Sequence, residues 1–186
     1  MTDIHIESLS PELLDDFLAF FDERAFSDNA DWAGCYCFFP YHDPANGAWS
    51  ERSAADNRAA MADAISTGTA GGFLAYADGR VVGWCNAAKR AAYPTLAGLP
   101  GDSNRIGATP CFIVDPDWRG KGVATALLAA ACEGLQGIDK MEAAPDRNAQ
   151  SPAQNARGPL SMYVASGYRI VREFPDGTVL VERELT

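Results

Sequence analysis

The residues best suited to chemistry lie between an apolar strand end and an Ala/Leu-rich helix. Arg119-Gly120-Lys121-Gly122 follows the apolar run Cys111 to Val114 and a polar turn, Asp115-Pro116-Asp117-Trp118. Pro116 blocks simple continuation of either strand or helix. Downstream, Ala124, Leu127, Leu128, Ala131 and Leu135 recur at helical spacing. A strand, a glycine loop and a helix N-terminus in succession make an anion site. The first-turn amides lack partners, and the helix dipole adds about half a positive charge. Gly120 and Gly122 leave that backbone open to a phosphate, and Arg119 and Lys121 add cationic charge beside it. The spacing is neither Gly-x-x-x-x-Gly-Lys-Ser/Thr nor Gly-x-Gly-x-x-Gly. Nothing therefore supplies the magnesium hydroxyl of a nucleotide-hydrolysing loop.

The chain that must position this loop is of ordinary globular composition. Its 186 residues suit one domain, 1–186, with a single sizeable core. The formal net charge of -10 argues against nucleic acid, whose phosphates would be repelled, and mildly favours a cationic substrate such as an amine. No apolar run reaches the ~20 residues of a membrane span and no signal-peptide pattern opens the chain, so a cytoplasmic protein is expected. Five cysteines, at 35, 37, 85, 111 and 132, fit no disulfide scaffold and are expected to be reduced thiols. Cys35-x-Cys37 lacks a second pair at zinc spacing, and the chain has only two histidines, so no metal is expected.

Along the chain, Ile4 and Ile6 read as a first strand. Ser10 and Pro11 open a helix with Leu13, Leu14, Phe17, Leu18 and Phe21 as its stripe. From Glu23 to about Ser50 the sequence is an irregular aromatic loop, either a cover for the core or a wall of a pocket. A second helix is expected over about Glu51 to Ile65, facing Met61 and Ile65 inward. Strands Phe73 to Tyr76 and Val81 to Ala88 flank an Asp78-Gly79 hairpin turn. Alternation sends Trp84 and Asn86 to one face and Cys85 to the other. The strand Arg105 to Val114 contains Pro110, which cannot donate to a ladder and predicts a bulge or splay there. The long helix is followed by a strand at Lys140 to Ala144, a polar loop to Gly158 and a short helix, Leu160 to Ser166, closed by Gly167. A last hairpin turns at Pro175-Asp176-Gly177. This order indicates an α/β domain with a mixed sheet.

Arg119, Gly122 and Ala124 match Arg-x-x-Gly-x-Ala, and the stretch resembles the coenzyme A loop of the GCN5-related N-acetyltransferases (GNAT family). Downstream, Tyr163-Val164-Ala165-Ser166-Gly167-Tyr168 is similar to the family's Tyr-x-x-x-Gly-Phe. One departure is Ala156, where members often carry an asparagine; Asn155 is displaced by one position. The resemblance implies a GNAT-like fold, a central mixed, mostly antiparallel sheet splayed between strands 4 and 5 and flanked by helices. Pro110 matches the bulge beside the acetyl group in that fold. It further implies an acetyl-CoA-dependent N-acetyltransferase acting on a primary amine by direct transfer in a ternary complex. Coenzyme A would be bound by Phe112, Ile113, Val114, Arg119, Gly120, Lys121, Gly122, Val123, Ala124 and Thr125.

Within that chemistry, an alkyl amine of pKa ~10 must lose a proton before it attacks, and a thiol of pKa ~8.5 must leave. Glu142, on the strand flanking the cleft, is the candidate base, and Tyr163 the candidate acid. Trp84, Asn86, Cys35, Tyr36 and Trp49 are candidate acceptor-pocket residues. The alternatives are a non-catalytic acyl-CoA-binding or sensing module and a phosphate-binding protein using the same helix end. Exposed terminal strands often mediate dimers in this fold, which leaves a homodimer open.

Overall fold

Hydrophobic periodicity places the strands and helices, and one interrupted ladder within the sheet creates the space a ligand needs. The structure, a computed structural model, describes residues 3–151 and 154–185. Its strands are β1 (His5–Ser8), β2 (Gly72–Ala77), β3 (Arg80–Lys89), β4 (Ile106–Val114), β5 (Lys140–Ala143), β6 (Arg169–Glu173) and β7 (Val179–Glu184). Its α-helices are α1 (Leu14–Glu23), α2 (Ala54–Ser66), α3 (Val123–Gly134) and α4 (Leu160–Ala165). The strands form one seven-stranded sheet in the order β1-β2-β3-β4-β5-β7-β6. β4 and β5 are parallel and the other pairs antiparallel, as expected for a mixed sheet.

β4 pairs with β5 only from Ile106↔Lys140 to Ala108↔Glu142, whereas its ladder with β3 continues to Val114↔Gly83. Beyond Ala108, β4 therefore has β3 on one side and, among the described residues, no strand on the other, where the turn Gln154–Arg157 packs near it. Thr109 and Pro110 together stand opposite Ala87, between the pairs Ala88↔Ala108 and Asn86↔Cys111. This is the bulge expected at Pro110, which has no N–H for a ladder.

Each face of the sheet carries its own apolar layer. On one side α3 packs Val123, Leu127, Leu128 and Ala131 with Phe73, Cys85 and Phe112. The helix comes very close to β3 at Gly83, where an added Cβ would lie 2.6 Å from Val123 Cγ1. On the other side Phe17, Phe20 and Phe21 of α1 and Met61 and Ile65 of α2 cover Trp84 and Ile113. The Asp78-Gly79 turn has both residues at positive φ, 50° and 74°, which matches the right-handed twist of the hairpin it joins.

Two boundaries differ from expectation. Ser10 makes no capping bond; a 3-10 turn, Pro11–Leu13, leads into α1 instead. α2 starts at Ala54 rather than near Glu51, because Ser53 and Asp56 form a reciprocal capping box that sets its first turn. Much of the aromatic segment before it folds into short 3-10 turns, among them Ala30–Cys35 and Phe39–Tyr41. No helix among the described residues is long and apolar enough to cross a membrane.

Candidate active site

The N-terminus of α3 has the geometry its glycines require. Gly120 and Gly122 sit at φ 71° and 85°, a left-handed backbone that side chains disfavour. An added Cβ at either would meet nothing within 4 Å, so both face open space. Gly122 is the N-cap and offers no side-chain acceptor. The first bond to this cap is donated by Ala126 N–H to the Gly122 carbonyl. The amides of Val123, Ala124 and Thr125 have no protein acceptor among the described residues. Unpartnered donors beside open space suit an anionic group.

A cavity of about 480 Å³ opens at this helix end. Of the residues expected to bind coenzyme A, Phe112, Ile113, Val114, Arg119, Gly120, Gly122, Val123, Ala124 and Thr125 all line it. Lys121 does not; its ammonium lies over the Trp118 ring, 4.8 Å from the centroid. Arg119 is fixed in place: Nε donates to the Val114 carbonyl at 3.2 Å and the guanidinium forms an ion pair with Asp28. That guanidinium holds the Asp28 carboxyl below its ordinary value. The segment carrying Asp28 is anchored nearby by Arg24, which pairs at 2.6 Å with the buried Asp115 at the end of β4. Asn155 and Ala156 line the same cavity, so the displaced asparagine does reach this wall.

A second cavity, about 430 Å³, adjoins the first. Phe26, Trp32, Ile113 and Ala156 border both. Ile113 lies on the open stretch of β4, so the two spaces meet where the sheet splays. Cys35 and Trp49, two of the five expected pocket residues, line this second cavity with Asp31, Phe39, Arg52 and Cys111. No group of three metal-ligating side chains is present among the described residues.

Comparison with known proteins settles the family. A model described as the acetyltransferase (GNAT) family matches residues 6–156. The chain belongs to the acetyltransferase (GNAT) family. Its fold is similar to that of an acetyltransferase from Thermus thermophilus, with a TM-score of 0.57 and 15% identity, covering 98% of this chain and 97% of that one. It is also similar to yncA, a putative acetyltransferase from Salmonella typhimurium solved with acetyl-CoA, with a TM-score of 0.57, 14% identity and coverage of 98% and 94%. A third similar fold is the paia N-acetyltransferase from Thermoplasma acidophilum in complex with coenzyme A, with a TM-score of 0.56, 16% identity and coverage of 98% and 99%. No curated protein matches the chain.

In this GNAT acetyltransferase the other expected site residues stand behind the cavity walls. Tyr163 is fully buried. Its hydroxyl donates to the Arg157 carbonyl at 2.8 Å and contacts Thr109 Oγ1 at 3.2 Å. Burial pushes its phenol well above the ordinary value, against an opposing pull from Thr109. Glu142 lines neither cavity. It is 7% exposed and accepts from Arg90 Nη1 and Lys140 Nζ, both at 2.9 Å. Arg90 in turn donates to the carbonyls of Pro100 and Gly101 and to Ser103 Oγ, so the carboxylate clamps the 99–103 loop to β5.

The remaining three pocket candidates line neither cavity. Trp84 is fully buried against Phe17 beneath α1. Asn86 is a buried hub, accepting from Tyr41 and Tyr93 hydroxyls at 2.9 and 2.8 Å and donating to the Cys37 carbonyl at 3.2 Å. Tyr36 packs on Phe21 and donates to Asp22 at 2.7 Å. Strand alternation gave the correct face for Trp84, but that face is covered by α1 and α2. The wall residues Phe26, Asp28 and Trp32 were not singled out, because no periodicity marks an irregular segment that folds back over a distant strand.

Proposed function

We propose that this protein transfers the acetyl group of acetyl-CoA to a primary amine of a small molecule or peptide, directly, within a ternary complex. One observation carries the reading: two cavities, one at an open helix N-terminus and one lined by aromatic side chains, share a strip of wall at the splay of the sheet. A donor in the first and an acceptor in the second would meet there without a covalent relay.

The chain's own residues divide the work. Amides of Val123, Ala124 and Thr125 bind the diphosphate, with room left by Gly120 and Gly122 and charge from Arg119. On the free edge of β4, Phe112 and Val114 turn their backbone groups away from β3 and pair with the amide-rich pantetheine arm as an added strand would. Acetyl-CoA supplies an activated acyl group, and the β4 backbone N–H of Val114, which faces away from β3, polarises its carbonyl. In the second cavity Trp32, Phe39 and Trp49 cover the apolar body of the amine. Asp31, the only carboxylate among the residues lining that cavity, attracts the ammonium and draws its proton toward water. A thiolate of pKa ~8.5 leaves without a fixed acid. Tyr163 positions the wall by holding the Arg157 carbonyl, and Glu142 holds the loop at 99–103.

Thermal-shift titration with coenzyme A and with ATP, followed by a screen of primary amines with a free-thiol readout, tests the proposal. Stabilisation by coenzyme A alone and thiol release with at least one amine are expected. Stabilisation without release for any amine would make the protein an acyl-CoA-binding module. Absence of stabilisation by coenzyme A would overturn the reading.

A further inference from the structure

Three of the five cysteines, Cys35, Cys37 and Cys111, line the second cavity, and acetyl transfer as derived above uses none of them. Cys37 Sγ and Cys111 Sγ are in contact at 2.7 Å, although 74 positions separate them in the chain. Cys111 is on β4 immediately after the Pro110 bulge, and Cys37 is on the aromatic segment packed against it. The backbone presents Cys37 in an unusual way. Tyr36 and Cys37 have consecutive positive φ values, 48° and 51°, a conformation non-glycine residues rarely adopt. Such strain persists only where surrounding contacts over-determine it. Here Asn86 holds the Cys37 carbonyl, and Tyr36 is tied to Asp22 and stacked on Phe21. The strained turn thus aims one thiol at another across the acceptor wall.

We propose that Cys37 and Cys111 are a dithiol modification site that a hydroperoxide converts to a reversible disulfide. Cys111 is half-buried and reachable from the cavity, whereas Cys37 is 1% exposed. The Cys111 sulfur takes one oxygen from the hydroperoxide, giving a sulfenic acid and the corresponding alcohol or water. The Cys37 sulfur then attacks that sulfur; the S–O bond breaks, the disulfide forms, and hydroxyl and thiol proton leave as water. Burial raises the Cys37 thiol and shields it from the hydroperoxide, so Cys37 reacts second and loses its proton only as the S–S bond forms. Cys35 is the wall's third thiol, with no sulfur contact to either. The bridge fastens the segment carrying Cys35 and Phe39 to β4, so the oxidation state of the pair alters the acceptor cavity. This inference does not depend on the identity of the acyl donor.

The test uses the full chain with a modest excess of hydrogen peroxide, thiol titration after denaturation, and non-reducing peptide mapping. The protein is expected to lose two of its five thiols, to yield a Cys37–Cys111 peptide, to melt several degrees higher and to recover fully with dithiothreitol. Cys35→Ala should lose two of its four thiols and form the same bridge, and Cys111→Ser should form no bridge. Retention of all thiols, a bridge that includes Cys35, or over-oxidation without a bridge would overturn the proposal. Mapping of the unaltered chain decides the matter even if a variant folds poorly.

Discussion

Replacing Glu142 distinguishes a catalytic carboxylate from a structural one. Its side chain is 9% exposed and accepts from Arg90, itself 2% exposed, and from Lys140. Removing one partner of a buried ion pair costs about 3–5 kcal/mol, because the remaining charge is left uncompensated. Here Arg90 retains the carbonyls of Pro100 and Gly101 and the Ser103 hydroxyl, and Lys140 retains Glu182 at 2.8 Å. Glu142→Ala should therefore fall at the lower end, ~3 kcal/mol. In a chain of this length each kcal/mol lowers the melting midpoint by about 2–4 °C, so a drop of roughly 6–12 °C is expected. Turnover per folded molecule, measured well below that midpoint with an amine found in the screen, should change less than about threefold, whereas loss of a general base costs ~10²–10⁴. Circular-dichroism melts and initial rates of thiol release at saturating acetyl-CoA are the measurements. An unchanged midpoint with turnover reduced a hundredfold would refute the structural assignment and restore Glu142 as the base.

Four further outcomes are expected. Gly122→Ala should lose only about 1–2 kcal/mol of stability, the left-handed backbone penalty, yet weaken coenzyme A at least ~10-fold by calorimetry, since its Cβ enters the space a phosphate needs; unchanged affinity would argue against the helix end as the anion site. Arg119→Glu should weaken coenzyme A by about 10-fold or more and do so less at high salt; equal affinity would remove Arg119 from the site. Tyr163→Phe should destabilise by ~1–3 kcal/mol, because the Arg157 carbonyl loses its donor, with turnover reduced less than ~10-fold; a larger loss of turnover at unchanged stability would make Tyr163 the acid. Asp28 has a carboxyl lowered from 3.8 by Arg119, so its contribution is complete above that pH and fades as pH falls through the lower folded value. The midpoint difference between the unaltered chain and Asp28→Asn, small for so exposed a pair, should accordingly shrink on acidification; a difference that grew would contradict the pairing.

The legible parts of this protein were those whose causes are local. Gly120 and Gly122 before an apolar helical run, Pro110 within a strand, Asp78-Gly79 between two strands and Gly167 after a short helix each impose a backbone conformation through their own chemistry, and each imposes it in the structure. Nine of the ten residues expected around coenzyme A line one cavity because strand, loop and helix are consecutive and their spacing is short. The residues expected around an acceptor were far less legible. Alternation assigns Trp84 a face of the sheet but cannot say that α1 covers it. Asn86 reads as a polar group on a strand, and only its partners Tyr41, Tyr93 and Cys37 make it a buried hub.

By itself the sequence determined the strand–glycine–helix unit, the bulge that opens β4 and hence the family, since these follow from dihedral preference and hydrophobic period over a few residues. Tertiary structure alone decided which side chains meet. It brought Asp28 to Arg119, Arg90 to Glu142 and Cys37 to Cys111, across 91, 52 and 74 positions of chain. Such pairings depend on how whole layers pack, and no short-range preference encodes the order in which distant segments come to share a wall.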